Sequence, residues 1–499
     1  MTSGLAKKIK DIAFHPSSFL LRNSGTKQTI AKNTFWLAFS TVISKIIKYF
    51  LVVYAARILG ATEYGVFSFA LAFVALLSVV ADLGISPLIS REIAKGEKSE
   101  IHLSTALTLK LLLTILALVL VVILAFLIPQ SPKIRLTILI LAGYILVNGL
   151  SVFFYNCFYG RQEMQYQSWT EIIGVASTTI LGIYLISLVP KAYFLAIAYL
   201  AGAVISLIII YSLFRKKFKI RTRLSIDKQQ WVKIFNWSWP LALGGTFAFI
   251  YTNTDSLMMG FWHLFSQVGY YNAAQKIVAM AIIPANLIAT SFFPALTKSY
   301  SNQEKEKMQK LFDYQNIVLL SLAIPIVVGG YILANGLIVR IYGASYQPAV
   351  LALRILILMG GISYLRASLG RPLFIYNQQR KTFWIAAWGA ILNVALNTIL
   401  IPRFGLYGAA WASVATFSFA LVLIWYYVKR LTPLKIINRT LVKYSLVFLV
   451  SSILMGIVLK ELAACNVNPF LKVGIGTVVY FSCLALFWKF ASPTSLSTT

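Results

Sequence analysis

Residues 103–128 read LSTALTLKLLLTILALVLVVILAFLI, with a single charge, Lys110, in 26 positions. At ~1.5 Å per residue, a helix of this length covers the ~30 Å of hydrocarbon in a bilayer. Apolar residues lie on every side of that helix, so no face is kept for water. A spanning strand would be shorter and would alternate, and an open strand leaves amides that hydrocarbon cannot satisfy. The segment is therefore a membrane helix.

The same pattern recurs along the chain. Fourteen spans are predicted near 34–58, 64–90, 103–128, 134–157, 168–189, 192–214, 237–262, 272–296, 314–341, 349–376, 381–401, 407–428, 441–460 and 470–490. Hydrophobic residues make up 59% of the 499 and charged residues only 12%, against about 25% charged in a soluble domain. This excludes a water-soluble enzyme and predicts an all-α polytopic membrane protein. The first 32 residues are basic and interrupted by Pro16, without the short apolar stretch of a cleaved leader, so the first span is expected to stay as an anchor.

Charge gives the orientation. The formal net charge is +31, from 45 Lys and Arg against 14 Asp and Glu. With the N-terminus placed in the cytoplasm, 31 of the basic residues fall in inner segments and eight in outer ones. That is the positive-inside bias, with both termini cytoplasmic. The charge is thus a topology signal with some affinity for anionic lipid, and no nucleic acid is called for. The most basic stretch, with Lys219, Arg221 and Arg223, reads as a linker between two halves. The expected divisions are a basic segment 1–32, a six-helix bundle 33–214, a linker 215–236, a second six-helix bundle 237–430, and two further helices with a tail in 431–499.

The two halves repeat. Gly65-Val66-Phe67-Ser68-Phe69-Ala70 opens the second span, and Gly269-Tyr270-Tyr271-Asn272-Ala273-Ala274 opens the eighth. Each is followed by a proline, Pro87 or Pro294, and a related Gly405-Leu406-Tyr407-Gly408-Ala409-Ala410 opens the twelfth. Such repetition marks transporters built from two parallel bundles.

Catalytic signals are missing. Cys157, Cys465 and Cys483 are far apart, as are His15, His102 and His263. No metal-ligand spacing, phosphate-binding glycine loop or paired carboxylates occur. No metal, no cofactor and no enzymatic reaction are expected.

Charges inside the spans carry more information, because each costs ~2.5–3.5 kcal/mol on insertion scales and so faces a cavity or a partner. The cations are Lys45, Lys48, Lys110, Lys276, Arg354 and Arg366; the acids are Asp82 and Asp255, with Glu171 at an edge. The balance favours an anion in the interior. Matching depths suggest the pairs Asp255–Lys276 and Asp82–Lys110, and Arg354 can snorkel. Lys45 and Lys48, three apart on one helix face, remain with Arg366. They either bind a substrate anion or pair with carbonyls and polar side chains of neighbouring helices. Lys276 belongs with them as a further cavity cation if it does not pair.

Leu59-Gly60-Ala61-Thr62-Glu63-Tyr64-Gly65, Asp82-Leu83-Gly84 and Ser90-Arg91-Glu92-Ile93-Ala94 resemble the first two helices of polysaccharide flippases. Thr254-Asp255-Ser256-Leu257-Met258-Met259-Gly260 and Phe293-Pro294-Ala295-Leu296 are similar to the start of their second half. These are the oligosaccharide flippases, of O-antigen type, of the multidrug/oligosaccharidyl-lipid/polysaccharide exporter superfamily, and the resemblance runs over roughly 34 to 430. It implies two pseudo-symmetric six-helix bundles around a central cavity. It implies transfer of undecaprenyl-pyrophosphate-linked oligosaccharide to the outer leaflet of a bacterial inner membrane by alternating access, with a polysaccharide polymerase and chain-length proteins as partners. A multidrug extruder of the same superfamily would typically place an acid in the first span, which here holds two lysines. A membrane polysaccharide polymerase would typically have a large outer loop, and all outer loops are short.

The topology predicts that single cysteines placed at Gln130 and Asn466 react with an impermeant maleimide in intact cells, whereas one at Ser225 reacts only after lysis. Labelling of Ser225 from outside would overturn it.

Overall fold

A computed structural model describes residues 25–96, 101–218, 224–464 and 467–491. The N-terminal basic segment up to residue 24, Lys98, Lys219, Arg221, Arg223 and Cys465 lie outside the described residues. Among the described residues there are fourteen α-helices and no strand. They are α1 Thr26–Asp82, α2 Ile85–Ala94, α3 Leu103–Leu127, α4 Pro132–Gly160, α5 Met164–Leu188, α6 Ala192–Phe218 and α7 Lys228–Phe261. The second half holds α8 Phe265–Ala281, α9 Ile283–Ser301, α10 Lys305–Tyr342, α11 Ala349–Ile375, α12 Gln379–Leu431, α13 Arg439–Ala464 and α14 Pro469–Ala491.

Helices and crossings do not correspond one to one. Eleven helical stretches are long and apolar enough to cross a membrane. Two of them, of 55 and 53 residues, are broken into two crossings each, at Gly60 (φ 71°) and Gly405 (φ 56°). Positive φ is open to glycine without steric cost, which is why these residues can end one helix and start the next with no loop between. The stretch holding α8 and α9 counts as one, interrupted near Pro284. With the two breaks counted, the candidate stretches among the described residues make thirteen crossings, and α7, at 34 residues over the expected span 237–262, is taken as the fourteenth. Leu127, Ile180, Val422 and Leu486 are exposed on their surface, as suits contact with lipid.

Several helices overrun their expected spans. Where a span was expected from 314, α10 begins at Lys305, and where one was expected from 237, α7 begins at Lys228. Hydropathy marks only the part in hydrocarbon, and these extra turns are polar. Lys305, Glu306, Lys307 and Lys310 stay in water, with Lys307 Nζ 2.9 Å from Glu304. Of the expected linker 215–236, the described residues outside helix are accordingly only 224–227.

Contacts divide the chain into two compact units. The first is 1–59 with 70–246, and the second is 60–69 with 247–499. In the first, Phe153, Phe154 and Phe158 of α4 pack with Phe214 and Phe218 of α6, with Phe154 and Phe214 centroids 5.0 Å apart. In the second, Phe312 of α10, Leu373 of α11 and Ile424 and Val428 of α12 form one core. Phe448 of α13 and Tyr480 of α14 form another with α10, where Tyr480 donates to the Ser321 carbonyl at 2.7 Å.

Within the second unit, the two repeat motifs touch each other. A Cβ on Gly65 would overlap the Phe265 carbonyl, and one on Gly269 would overlap the Ala61 carbonyl. Each glycine thus lies against the residue four positions before the other, so the contact maps onto itself when the repeats are exchanged. Gly65→Ala or Gly269→Ala must push two backbones apart, at a cost of about 1–3 kcal/mol. Both variants are expected to lower the melting temperature of the purified protein, and the double variant to do little worse than either, since one contact is lost. Unchanged melting of both would show that the contact is not tight.

Candidate functional site

The intramembrane charges settle into three arrangements. The first is at the end of α1, where Leu83 (φ 41°) and Gly84 (φ 77°) break the helix after Asp82. Ser86 and Lys110 both donate to Asp82 Oδ1. Lys110 is 1% exposed, so its charge is neutralised locally rather than offered to a ligand.

The second arrangement surrounds Asp255, which is 1% exposed on α7. Asn397 Nδ2 donates to Oδ1 at 2.6 Å and Ser413 Oγ to Oδ2 at 2.7 Å, both from α12, and the Tyr271 hydroxyl of α8 also donates to Oδ2. Asn397 reaches Asn393 Oδ1 at 3.1 Å, and Asn393 reaches Thr416 Oγ1 at 3.5 Å. The salt bridge to Lys276 expected from matched depth is not among the described contacts of Asp255, because neutral donors engage both of its oxygens. Lys276 is half-buried one helix further on. Depth along the bilayer does not say to which side of the helix a carboxylate points. The arrangement is a closed network in which neutral donors satisfy a buried carboxylate. The polar partners Asn393, Asn397, Ser413 and Thr416 went unnoticed in the sequence; their i, i+4 and i, i+3 spacing along α12 is the signal that could have found them.

The third arrangement is the set of cations. Lys45 and Lys48 are exposed on the first crossing. The charge of Lys48 is coupled to that of Glu171 on α5, within the same unit. Arg366, on α11 of the second unit, is half-buried with its guanidinium 4.5 Å from the Phe417 ring centre. Arg354 lies over Tyr331 and reaches its carbonyl at 3.4 Å. At the end of the first unit's core, Arg91, Lys95 and Lys233 gather around Trp237 at 5.4, 5.5 and 5.0 Å, an aromatic residue of interfacial type. Among the described residues, no group of His, Cys, Asp and Glu could hold a metal ion.

The architecture is that of a multi-pass α-helical membrane protein. It superposes on lipid II flippase MurJ in an inward closed conformation with a TM-score of 0.74, covering 91% of this chain and 98% of that one at 19% identity. An inward-facing multidrug resistance MATE transporter gives 0.64 over 77% of this chain and 94% of that one, at 15% identity. The sequence profile of the polysaccharide biosynthesis protein family matches residues 30–300, more than half of the chain, and the chain belongs to that family. A relative from Haloferax volcanii, the probable low-salt glycan biosynthesis flippase Agl15, is 24% identical and aligns over 92% of this chain and 96% of its own length. The capsular polysaccharide biosynthesis protein CapF of Staphylococcus aureus is 21% identical over 43% of this chain and 54% of its own.

Removing the Asp255 carboxylate by Asp255→Ala leaves the Tyr271, Asn397 and Ser413 donors without an acceptor, each at about 1–3 kcal/mol when buried. The melting temperature of Asp255→Ala should fall well below that of Asp255→Asn, which keeps an oxygen and the packing. Equal melting of the two would show that the donors find other partners.

Proposed function

We propose that this protein carries a lipid-linked oligosaccharide from the cytoplasmic to the outer leaflet, with undecaprenyl pyrophosphate as the carrier and alternating access as the mechanism. Lys48 carries this reading. It is a midspan cation on a crossing that has no acid, 34–58. A charge there is costly unless it meets an aqueous space or a counter-charge. Its electrostatic interaction with Glu171 of α5 supports an orientation toward the bundle. A diphosphate crossing the membrane needs such compensation, since bare burial of an ion costs several kcal/mol. Two lysines three residues apart can offer point charges to adjacent phosphates without a fixed fork geometry. We assign Lys45 and Lys48, with Arg366 and Lys276 from the second half, to this role. Asp82 with Lys110 is structural.

The family assignment and the glycan-flippase relatives support the substrate class, and the positive-inside bias supports cytoplasmic termini in the cytoplasmic membrane of a bacterial cell. A polysaccharide polymerase and chain-length proteins would take the product. A multidrug extruder, which shares the fold, would hold an acid rather than lysines on its first crossing.

In cells lacking their own flippase, Lys48→Asp should reduce restoration of surface polysaccharide more than about tenfold, because repulsion adds to lost attraction. Lys48→Arg should keep part of it. Membrane levels of each variant are checked alongside. Full restoration by both Lys45→Asp and Lys48→Asp would show that the lysines are structural and that the anion is held elsewhere.

A further inference from the structure

The first unit contains a cavity of about 350 Å³ between α4, α5 and α6. It lies within the crossings: Glu171 is seven residues into α5, ~10 Å along its axis, and Asn148 is near the middle of α4. Its wall is nonetheless polar. Tyr144, Asn148 and Tyr155 come from α4, Gln167 and Glu171 from α5, and Ser206 from α6. Tyr155 hydrogen-bonds Ser206 and lies in the field of Glu171. Two groups remain to be satisfied. Gln167 is 9% exposed, and its Oε1 is buried with no hydrogen-bond partner. The Glu171 carboxylate has none among the described residues, its nearest charge being Lys48. Polar groups inside hydrocarbon are retained at a cost, so a cavity lined by them is built for a polar guest.

Size and charge narrow the guest. At ~30 Å³ per water, the volume takes about twelve waters, which is about the number of heavy atoms in a hexose. A lone cation would fill a small part of it, and the Lys48 charge opposes one beside Glu171. Glu171 in turn opposes a phosphate. An uncharged polyol suits both. A carboxylate accepts from neighbouring hydroxyls, amides both donate and accept, and tyrosine offers a ring face and a hydroxyl.

We propose that this cavity is a subsite for one uncharged sugar residue of the translocated glycan. The proposal rests on the flippase reading and deepens it. The phosphate end is held by Lys48, and the sugar is selected by α4, α5 and α6.

The test uses the full chain in nanodiscs of phosphatidylethanolamine and phosphatidylglycerol, with saturation-transfer NMR against glucose, galactose, mannose and N-acetylglucosamine. At least one sugar should receive saturation from the wild type. The signal should fall at least about fivefold in Asn148→Leu and in Glu171→Gln, the loss of roughly one hydrogen bond. Ala203→Phe, which fills the cavity, should abolish it. The melting temperature of every variant is measured, and the near-isosteric Glu171→Gln stands if a bulkier variant fails to fold. The proposal is overturned if no sugar binds, or if binding survives Ala203→Phe and Glu171→Gln. It is also overturned if sodium chloride, against choline chloride, raises the wild-type melting temperature in a Glu171-dependent way with no sugar signal, since that defines a cation site. A protein that restores surface polysaccharide without a cavity-dependent sugar signal keeps the flippase reading and loses the subsite. One that binds sugar through these residues but restores nothing loses the flippase reading and keeps the site.

Discussion

Hydrocarbon offers no partner to a polar group, and every charge within the crossings of this protein is placed by that constraint. Three solutions coexist. Asp82 meets a cation, Lys110, across two helices. Asp255 meets neutral donors from two neighbouring helices and is closed off from solvent. Lys48 remains exposed and shares its field with Glu171. On the proposed reading, the last is the charge left to a ligand, since Glu171 offsets it through the field and not through a salt bridge among the described residues.

The repeat supplies the frame and the side chains break its symmetry. Gly65 and Gly269 hold the starts of the second and eighth crossings backbone to backbone, in a reciprocal contact that leaves no room for side chains. Shifting the first repeat onto the second by the Gly65-to-Gly269 interval brings Lys48 onto Thr252 and Leu51 onto Asp255. The backbone arrangement is thus used twice, while the cation stands in one copy and the closed acid in the other.

The architecture was legible in the sequence because bilayer thickness imposes a length and a composition on every crossing. The run at 103–128 reads as a helix with nothing else consulted. Helix ends were less legible, since the polar turns at Lys228–Phe235 and Lys305–Lys310 carry no hydropathy signal although they are helical. Breaks were legible only as candidate glycines: Gly60 and Gly405 sit at the expected turns, but nothing in the sequence says that a single residue does the work of a loop. Site residues were the least legible. Linear depth placed Asp255 opposite Lys276, yet side-chain direction sends it toward Asn397 and Ser413, which are more than a hundred residues away in the chain. Glu171 read as an edge residue, and only the packing of α4, α5 and α6 shows the cavity it faces.

Recognition of a lipid-linked glycan divides naturally between two kinds of force. A phosphate is held by charge, which in a low-dielectric site acts over many ångströms and asks little of geometry. A lysine on a flexible stem supplies this for any carrier that presents phosphate. Sugars differ from one another by the placement of hydroxyls, and only short, directional hydrogen bonds read that difference, as buried polar groups reject a ligand that leaves them unpaired. On the proposed reading, Lys48 is of the first kind and the wall formed by Asn148, Gln167 and Glu171 of the second, and the two are joined through the field between Lys48 and Glu171. A carrier common to many glycans could then be gripped in one way by related proteins, while exchanges of a few residues on α4 and α5 change which glycan is accepted. The affinity would lie with the charge and the specificity with the cavity.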